Sequence, residues 1–217
     1  MDFEQARFNM VEQQIRPWDV LDLRVLDLLS VVKREDFVPE ALRNLAFVDT
    51  PLPLGNGAFL LPPRLEARLV QELRLQPTDR VLEVGTATGY ITALLAKSSA
   101  QVYSVDINPD MTTQARRNLQ KAGIGNATLS TGDGLLGLTA NAPYNAIVLT
   151  GSVTAVPEAL KAQLAIGGRL VAIVGSEPAM SLTIVTRVSE TEYHTFKQVE
   201  TNCPPLVGGT VAPAFVF

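Results

Sequence analysis

Apolar positions along this chain follow two rhythms. Over the first forty residues they recur at intervals of three and four. Phe3, Ala6, Met10, Val11 and Ile15 share one helical face, and Arg16-Pro17 is expected to end that helix. A second helix is predicted over 20–32, with Leu21, Val25, Leu28, Leu29 and Val32 on one side, and a shorter third one after Pro39. The segment 49–63 reads as irregular; it is rich in Pro and Gly yet unusually apolar for a loop, and such loops generally cover something. Beyond a helix over 64–73 the rhythm changes to short β-branched runs separated by helical stretches. This predicts strands at 81–84, 102–105 and 127–130, with helices at 91–96 and 109–122 between them. Residues 144–150 form a near-continuous apolar run, the pattern of a strand buried on both faces. A helix over 157–164, closed by Gly167-Gly168, and a strand over 169–174 follow. Two alternating segments, 182–188 and 192–199, read as antiparallel strands.

Strands alternating with helices specify an α/β fold: a doubly wound, mostly parallel sheet with right-handed crossovers, an N-terminal helical cap and antiparallel strands at the C-terminal end. The expected organisation is one domain over 1–217, with residues 1–75 forming the cap and a loop and 76–217 the core. No internal repeat or long linker interrupts it.

The chemistry concentrates in residues 80–106, a strand, a glycine turn, a helix and a second strand ending on an acid, which is half of a nucleotide-binding βαβ unit. A dinucleotide site wants G-x-G-x-x-G, so that backbone N–H groups approach a pyrophosphate closely. Here Ala87 holds the middle position between Gly85 and Gly89, and no glycine follows at the close-packing position. S-adenosylmethionine (SAM) carries no pyrophosphate. The turn Glu83-Val84-Gly85-Thr86-Ala87-Thr88-Gly89 suits its amino-acid end, whose ammonium wants a carboxylate and whose carboxylate wants N–H donors. Asp106, ending the second strand, is placed to accept the two ribose hydroxyls. Asp133, between Gly132 and Gly134, can accept from an adenine amino group while the glycines let the ring lie near the backbone. Blander readings stand beside these. The glycines could form an ordinary strand-to-helix turn and Gly132-Asp133-Gly134 a plain turn. Asp106 could cap the following helix, although Asn108, just before Pro109, is the better cap.

Composition narrows the choice. With 217 residues, 47% of them hydrophobic, the chain can bury a substantial core. A net charge of −4 argues against a nucleic-acid footprint, and no apolar run approaches the ~18 residues needed to span a membrane. Residues 1–5 lack the basic and apolar regions of a signal peptide, so a cytoplasmic protein is expected. One cysteine, Cys203, and one histidine, His194, allow neither an intrachain disulfide nor a His/Cys metal cluster. Neither residue lies in a nucleophile context; His194 reads as a strand residue and Cys203 as loop packing. Trp18, the single tryptophan, reads as packing within the cap. Methyl transfer to an acceptor that is already an anion needs no general base, only in-line positioning, and so suits this inventory.

The residues then carry a resemblance. The series Val32-Lys33-Arg34-Glu35-Asp36-Phe37-Val38-Pro39, Leu52-Pro53-Leu54-Gly55-Asn56-Gly57, and Val81 through Tyr90 resembles the protein-L-isoaspartate O-methyltransferase family. It continues through Gly132-Asp133-Gly134, 142–150, Gly167-Gly168-Arg169-Leu170-Val171 and, loosely, Pro204-Pro205-Leu206-Val207. The resemblance implies a Rossmann-like class I fold, SAM as donor with S-adenosylhomocysteine as product, and methylation of the free carboxylate of isoaspartyl residues in damaged proteins or peptides. It implies cofactor contacts by Glu83, Gly85, Thr86, Ala87, Gly89, Asp106, Ile107, Asp133, Gly134 and Thr150. It implies acceptor contacts by Leu54, Gly55, Gly57, Phe59, Leu61 and Pro205; no residue is assigned as catalytic and no metal is expected. The family's loop usually reads Gly-Gln-Thr-Ile-Ser-Gln-Pro, whereas here Phe59, Leu61 and Pro62 replace the Thr, Ser and second Gln. Asn145, where the family often has Asp, reads as a packing residue on a buried strand. A less polar acceptor such as a small molecule, and a non-catalytic SAM- or S-adenosylhomocysteine-binding module, are the alternatives.

Overall fold

The computed structural model describes residues 1–210; the last seven residues of the expected core, 211–217, lie outside the described residues. Its centre is a seven-stranded sheet built from β3 (Arg80–Val84), β4 (Gln101–Asp106), β5 (Ala127–Thr131), β6 (Tyr144–Val153), β7 (Leu164–Ser176), β8 (Ala179–Arg187) and β9 (Tyr193–Glu200). The spatial order is β5-β4-β3-β6-β7-β8-β9. Pairings are parallel from β5 through β7 and antiparallel from β7 to β9, as the run-then-alternation pattern predicts. The chain starts the sheet in its middle, at β3, winds outward through β4 and β5, then crosses to β6. The strand order therefore reverses beside β3, where the crossovers diverge and open a crevice at the strands' carboxyl ends.

Three of the helices are α3 (Pro63–Leu73), α4 (Tyr90–Ser98) and α5 (Pro109–Lys121). Asn108 caps α5, its side chain accepting from the Asp110 N–H at 2.9 Å, with Pro109 in the first turn. α3 lies deep in the molecule. Its Leu65, Leu69 and Leu73 join the core, and even Glu66, Arg68 and Glu72 are buried. The N-terminal cap, α1 (Phe3–Met10) and α2 (Leu23–Val31), closes over it.

The structure corrects several expected boundaries. The first helix does not stop at Arg16-Pro17: it widens to a π segment over Val11–Ile15 and closes as a 3₁₀ turn over Arg16–Trp18. Met10, Val11 and Ile15 stay buried through the change of pitch, so packing outweighs the proline signal. α2 begins at Leu23 rather than near residue 20, because the Asp22 side chain caps it there, accepting from the Arg24 N–H. The short third helix after Pro39 is a 3₁₀ helix, Glu40–Leu45. The segment 49–63 contains a hairpin, β1 (Leu52–Gly55) and β2 (Ala58–Leu60), turning at Gly55-Asn56-Gly57. Helix α6 is only Glu158–Ala162, and Gly167-Gly168 sits inside β7, where no Cβ would fit between Gly168 and the carbonyls of Tyr144, Asn145 and Ala165. Asn145 is exposed at the start of β6 and accepts from the Arg80 N–H at 2.9 Å.

Trp18 packs in the cap as expected, its ring under the Arg64 guanidinium at 4.1 Å. His194 lies exposed on β9, and Cys203 is buried, its thiol pushed up to about 12 by burial. Among the described residues no helix is long and apolar enough to cross a membrane, and no group of three His, Cys, Asp or Glu could hold a metal ion.

A candidate cofactor cleft at the carboxyl end of the central strand

The crevice beside β3 is a cleft enclosing about 670 Å³, part of it open to solvent. One end is bounded by the turn after β3 and by the carboxyl ends of β4 and β6. Gly85 takes φ +99°, and a Cβ there would collide with the Thr150 hydroxyl. That hydroxyl donates to the Gly85 carbonyl at 2.6 Å, so the turn is fastened to β6. Ala87, at the position a dinucleotide motif gives to glycine, adopts φ +47°. This left-handed conformation costs an Ala about 1 kcal/mol. What holds it is Asp106 at the end of β4: Oδ2 accepts the Ala87 N–H at 2.8 Å and Oδ1 accepts the Asn108 N–H at 2.9 Å. Each oxygen keeps a lone pair toward the cleft, so Asp106 can still accept from a vicinal diol.

Further along, Asp133 caps a 3₁₀ turn, Gly134–Leu136, through Oδ1 to the Leu135 N–H, leaving Oδ2 exposed at the rim. Gly134 is pressed against the two strands: an added Cβ would lie 2.6 Å from Val84 Cγ1 and 2.7 Å from Val105 Cγ1. Gly134→Ala should therefore cost about 1–3 kcal/mol of stability through overpacking. Chemical denaturation checks this; an unchanged midpoint would mean that the Gly134 turn is free to move away from the sheet.

The hairpin covers the cleft from one side, with Asn56, Gly57, Ala58 and Phe59 facing it. From the other side comes the segment after β9. It is stitched to the end of β6 by Ser152 N–H to the Pro204 carbonyl, Leu206 N–H to the Ser152 carbonyl and Ser152 Oγ to the Cys203 carbonyl, at 2.8–3.0 Å. These bonds place Pro205, Leu206 and Val207 in the wall.

Of the residues expected to contact a cofactor, Gly85, Ala87, Asp106, Ile107, Asp133, Gly134 and Thr150 meet in the cleft. Glu83, Thr86 and Gly89 do not line it. Gly89 begins α4 and packs toward Ala115 and Leu119 of α5. Thr86 is buried behind the turn, its hydroxyl 2.6 Å from Ser104 Oγ. Glu83 is fully buried, and its Oε2 accepts from Thr92 Oγ1 at 2.5 Å and Ser104 Oγ at 2.6 Å. Burial without a counter-ion pushes its carboxyl up to about 8. Of the expected acceptor residues, Gly57, Phe59 and Pro205 line the cleft. Gly55 is exposed at the hairpin bend and Leu54 packs on the core. Leu61 is buried, and its carbonyl accepts from Arg34 Nη2 at 2.8 Å. Val84, Val105, Asn108, Leu135 and Val207 complete the lining, although the motifs alone do not single them out. The strand-end position of Val84, Val105 and Asn108 is the signal that could find them.

A smaller inner cavity, about 240 Å³ against the 670 Å³ of the cleft, lies behind the turn, sharing Phe59, Gly85, Ala87 and Thr150 with the cleft and bounded also by Leu61, Glu66, Glu83 and Tyr90. Two of its lining residues carry a buried polar atom, Glu83 Oε1 and Tyr90 Oη, with no hydrogen-bond partner among the described residues. Tyr90 is capped by the Arg34 guanidinium, 5.5 Å from its ring centre. Arg34 in turn pairs with Glu66 through Nε–Oε2 at 2.8 Å, both side chains wholly buried.

Comparison with known proteins agrees with this geometry. A family model described as protein-L-isoaspartate(D-aspartate) O-methyltransferase (PCMT) matches residues 5–210. A Marinobacter nauticus protein named protein-L-isoaspartate O-methyltransferase 2 is 39% identical over 208 residues, 95% of each chain. A Methanoculleus marisnigri protein named protein-L-isoaspartate O-methyltransferase is 42% identical over 178 residues, 82% of this chain and 81% of its own. A solved protein-L-isoaspartate O-methyltransferase superposes with TM-score 0.80 at 24% identity; the match covers 92% of this chain but 65% of that longer one. A Plasmodium falciparum structure, titled a putative protein-L-isoaspartate O-methyltransferase in complex with S-adenosyl-L-homocysteine, superposes with TM-score 0.77 at 19% identity over 95% of this chain and 98% of its own. Both superpositions are likenesses of fold. The family match over nearly the whole chain and relatives near 40% identity give the conclusion: this chain belongs to the protein-L-isoaspartate(D-aspartate) O-methyltransferase family.

Proposed function

We propose that this chain is a SAM-dependent O-methyltransferase that esterifies the free carboxylate of isoaspartyl residues in damaged proteins and peptides, releasing S-adenosylhomocysteine. The observation that carries the reading is the convergence of Asp106, Asp133 and the Gly85-to-Ala87 turn on one cleft at the switch point of the sheet. The residues fit a nucleoside with an amino-acid tail. Asp106 would take the ribose hydroxyls, Asp133 Oδ2 the adenine amino group, and Ile107 and Leu135 the faces of the base. Glu83 Oε1, buried and unpartnered at the inner cavity, is the carboxylate available to an ammonium. When bound, SAM supplies an electrophilic methyl on a sulfonium.

The chain's part is then to hold a carboxylate in line with that methyl and keep water out, work that requires no general base. The hairpin and the Pro205–Val207 wall, which close over the cleft from opposite sides, are the elements that would do so. Leu61 has no hydroxyl to offer an acceptor, and its side chain is buried. The backbone N–H groups of the hairpin turn and the side-chain amide of Asn56 are the donors on that side of the cleft available to the acceptor carboxylate. Incubation with methyl-labelled SAM and an isoaspartyl peptide is expected to leave label on the peptide that mild alkali releases as methanol. Label that resists alkali would contradict ester formation.

A second reading, a less polar acceptor, is favoured by Phe59 facing both the cleft and the inner cavity. The two readings part on Phe59→Thr, which restores the family's hydroxyl at that position. The isoaspartyl reading expects kcat/KM for the peptide to rise by roughly ten-fold, the value of one hydrogen bond to a charged group. A fall in kcat/KM would favour the apolar acceptor.

A further inference from the structure

The inner cavity holds a group that the fold leaves uncompensated. Glu83 has no exposed surface, and its Oε2 is saturated by two hydroxyl donors, Thr92 and Ser104. Ser104 donates to Glu83, so the short Thr86–Ser104 contact runs with Thr86 as donor. The chain Thr86 to Ser104 to Glu83 thus fixes hydrogens pointing at Oε2. Oε1 is the oxygen left without a partner, free to carry a proton or to meet a new donor, on a side chain that lines the cavity. The space left free in it for a water-sized group, about 10 Å³, is at the lower limit for holding one, and an ammonium is of that size.

The charged and titratable neighbours supply no counter-ion. α3 presents Glu66, already paired with Arg34 from the segment after α2; the end of β4 presents Asp106; α4 presents Tyr90; β6 presents only the Thr150 hydroxyl. Two of these are acids, and the one cation is engaged.

We propose that Glu83 is a neutral carboxylic acid in the free protein and gives up its proton when the ammonium of the cofactor's amino-acid end enters the inner cavity, so that cofactor binding releases a proton to solvent. The balance is simple: Glu83–COOH and R–NH₃⁺ become a Glu83–COO⁻···⁺H₃N–R pair and one H⁺ in bulk water. Binding an already neutral amine would give the same pair without release. Tyr90 Oη, also unpartnered at the cavity, serves as a positioning donor to the same carboxylate or acceptor from the ammonium. The inference rests on the cofactor reading above.

The sign of the pH dependence follows. Glu83 is raised from its ordinary carboxyl value to about 8, so it is protonated throughout the neutral range and the bound state must displace that proton. Affinity for the cofactor then increases as pH rises, by roughly ten-fold or more between pH 6 and pH 8, and levels off above. Without ligand, the contribution of the neutral acid to stability is full below the ordinary carboxyl range and is lost as pH rises through about 8.

The test is calorimetric titration of the intact protein with S-adenosylhomocysteine at pH 6.5, in two buffers of very different ionisation enthalpy. The expected result is release of close to one proton per bound ligand by the wild type. Glu83→Gln, whose amide copies the neutral acid, should bind more weakly and release none. Binding by the wild type with no buffer dependence, or the same release from Glu83→Gln, overturns the proposal and leaves the cofactor reading intact. Absence of binding overturns both. Denaturation of the two unliganded proteins gives a second readout: Glu83→Gln should gain on the wild type steadily from pH 5 to pH 8 and then hold level, and a constant difference would contradict a neutral Glu83.

Discussion

Replacing Arg34 with Ala is expected to lower the unfolding free energy by about 3–5 kcal/mol, a large fraction of the about 5–15 kcal/mol typical of a domain. Arg34 has no exposed surface, and all three of its guanidinium nitrogens donate hydrogen bonds. It pairs with Glu66, donates to the carbonyls of Ala46 and Leu61, and lies over the Tyr90 ring. Removing it leaves two carbonyls without a donor and the Glu66 carboxyl buried alone. Burial already pushes Glu66 above its ordinary value against the pull of Arg34. The loss should be smaller in the double variant Arg34→Met with Glu66→Leu, because no carboxyl is then buried alone, although the Ala46 and Leu61 carbonyls still lose their donor. Urea unfolding of the single and double variants measures the difference. Equal losses would show that the pair is an isolated contact and not the tie between the cap, the hairpin and α4.

The second large effect is on ligand affinity. Asp106→Ala should weaken S-adenosylhomocysteine binding about 100-fold while costing only about 1 kcal/mol of stability. The split follows from position. Asp106 is half-buried at the cleft, so unfolding feels mainly the loss of its two backbone bonds, to Ala87 and Asn108. Binding feels that loss and the missing diol acceptor together, because the Ala87 bond holds the turn in the left-handed conformation that shapes the cleft. Asp106→Asn retains one acceptor oxygen and should fall between. An unchanged dissociation constant in the Ala variant would move the diol acceptor elsewhere.

These residues also show where sequence reasoning reaches and where it stops. The apolar runs of β3 and β6 are buried on both faces, so local pattern and tertiary environment agree there, while β5 at the sheet edge is only half-buried yet still falls where its β-branched residues place it. Asp106 and Asp133 are legible as cleft residues because acids at or just after the carboxyl ends of parallel strands gather at a switch point. Glu83 was legible as an acid near the turn, but its orientation was not. Whether a side chain at the end of β3 points into the cleft or behind it depends on Thr92 and Ser104, which come from other elements. The hairpin at 52–60 was hidden because its prolines and glycines signal loop, while Gly55 and Gly57, at φ +91° and +77°, are what permit the turn. The buried charges of α3 were hidden for a similar reason: Glu66, Arg68 and Glu72 look like a solvated face until Arg34 and Gln198 arrive from distant parts of the chain.

The proposed reaction delivers a methyl group from the cleft to an isoaspartyl carboxylate despite Leu61. Its most direct test is one competition assay with two synthetic peptides of the same sequence, one holding isoaspartate and one aspartate, incubated together with methyl-labelled SAM. The expected result is alkali-labile label on the isoaspartyl peptide and background label on its partner. Equal labelling of both peptides, or of neither while S-adenosylhomocysteine binding is intact, would contradict it.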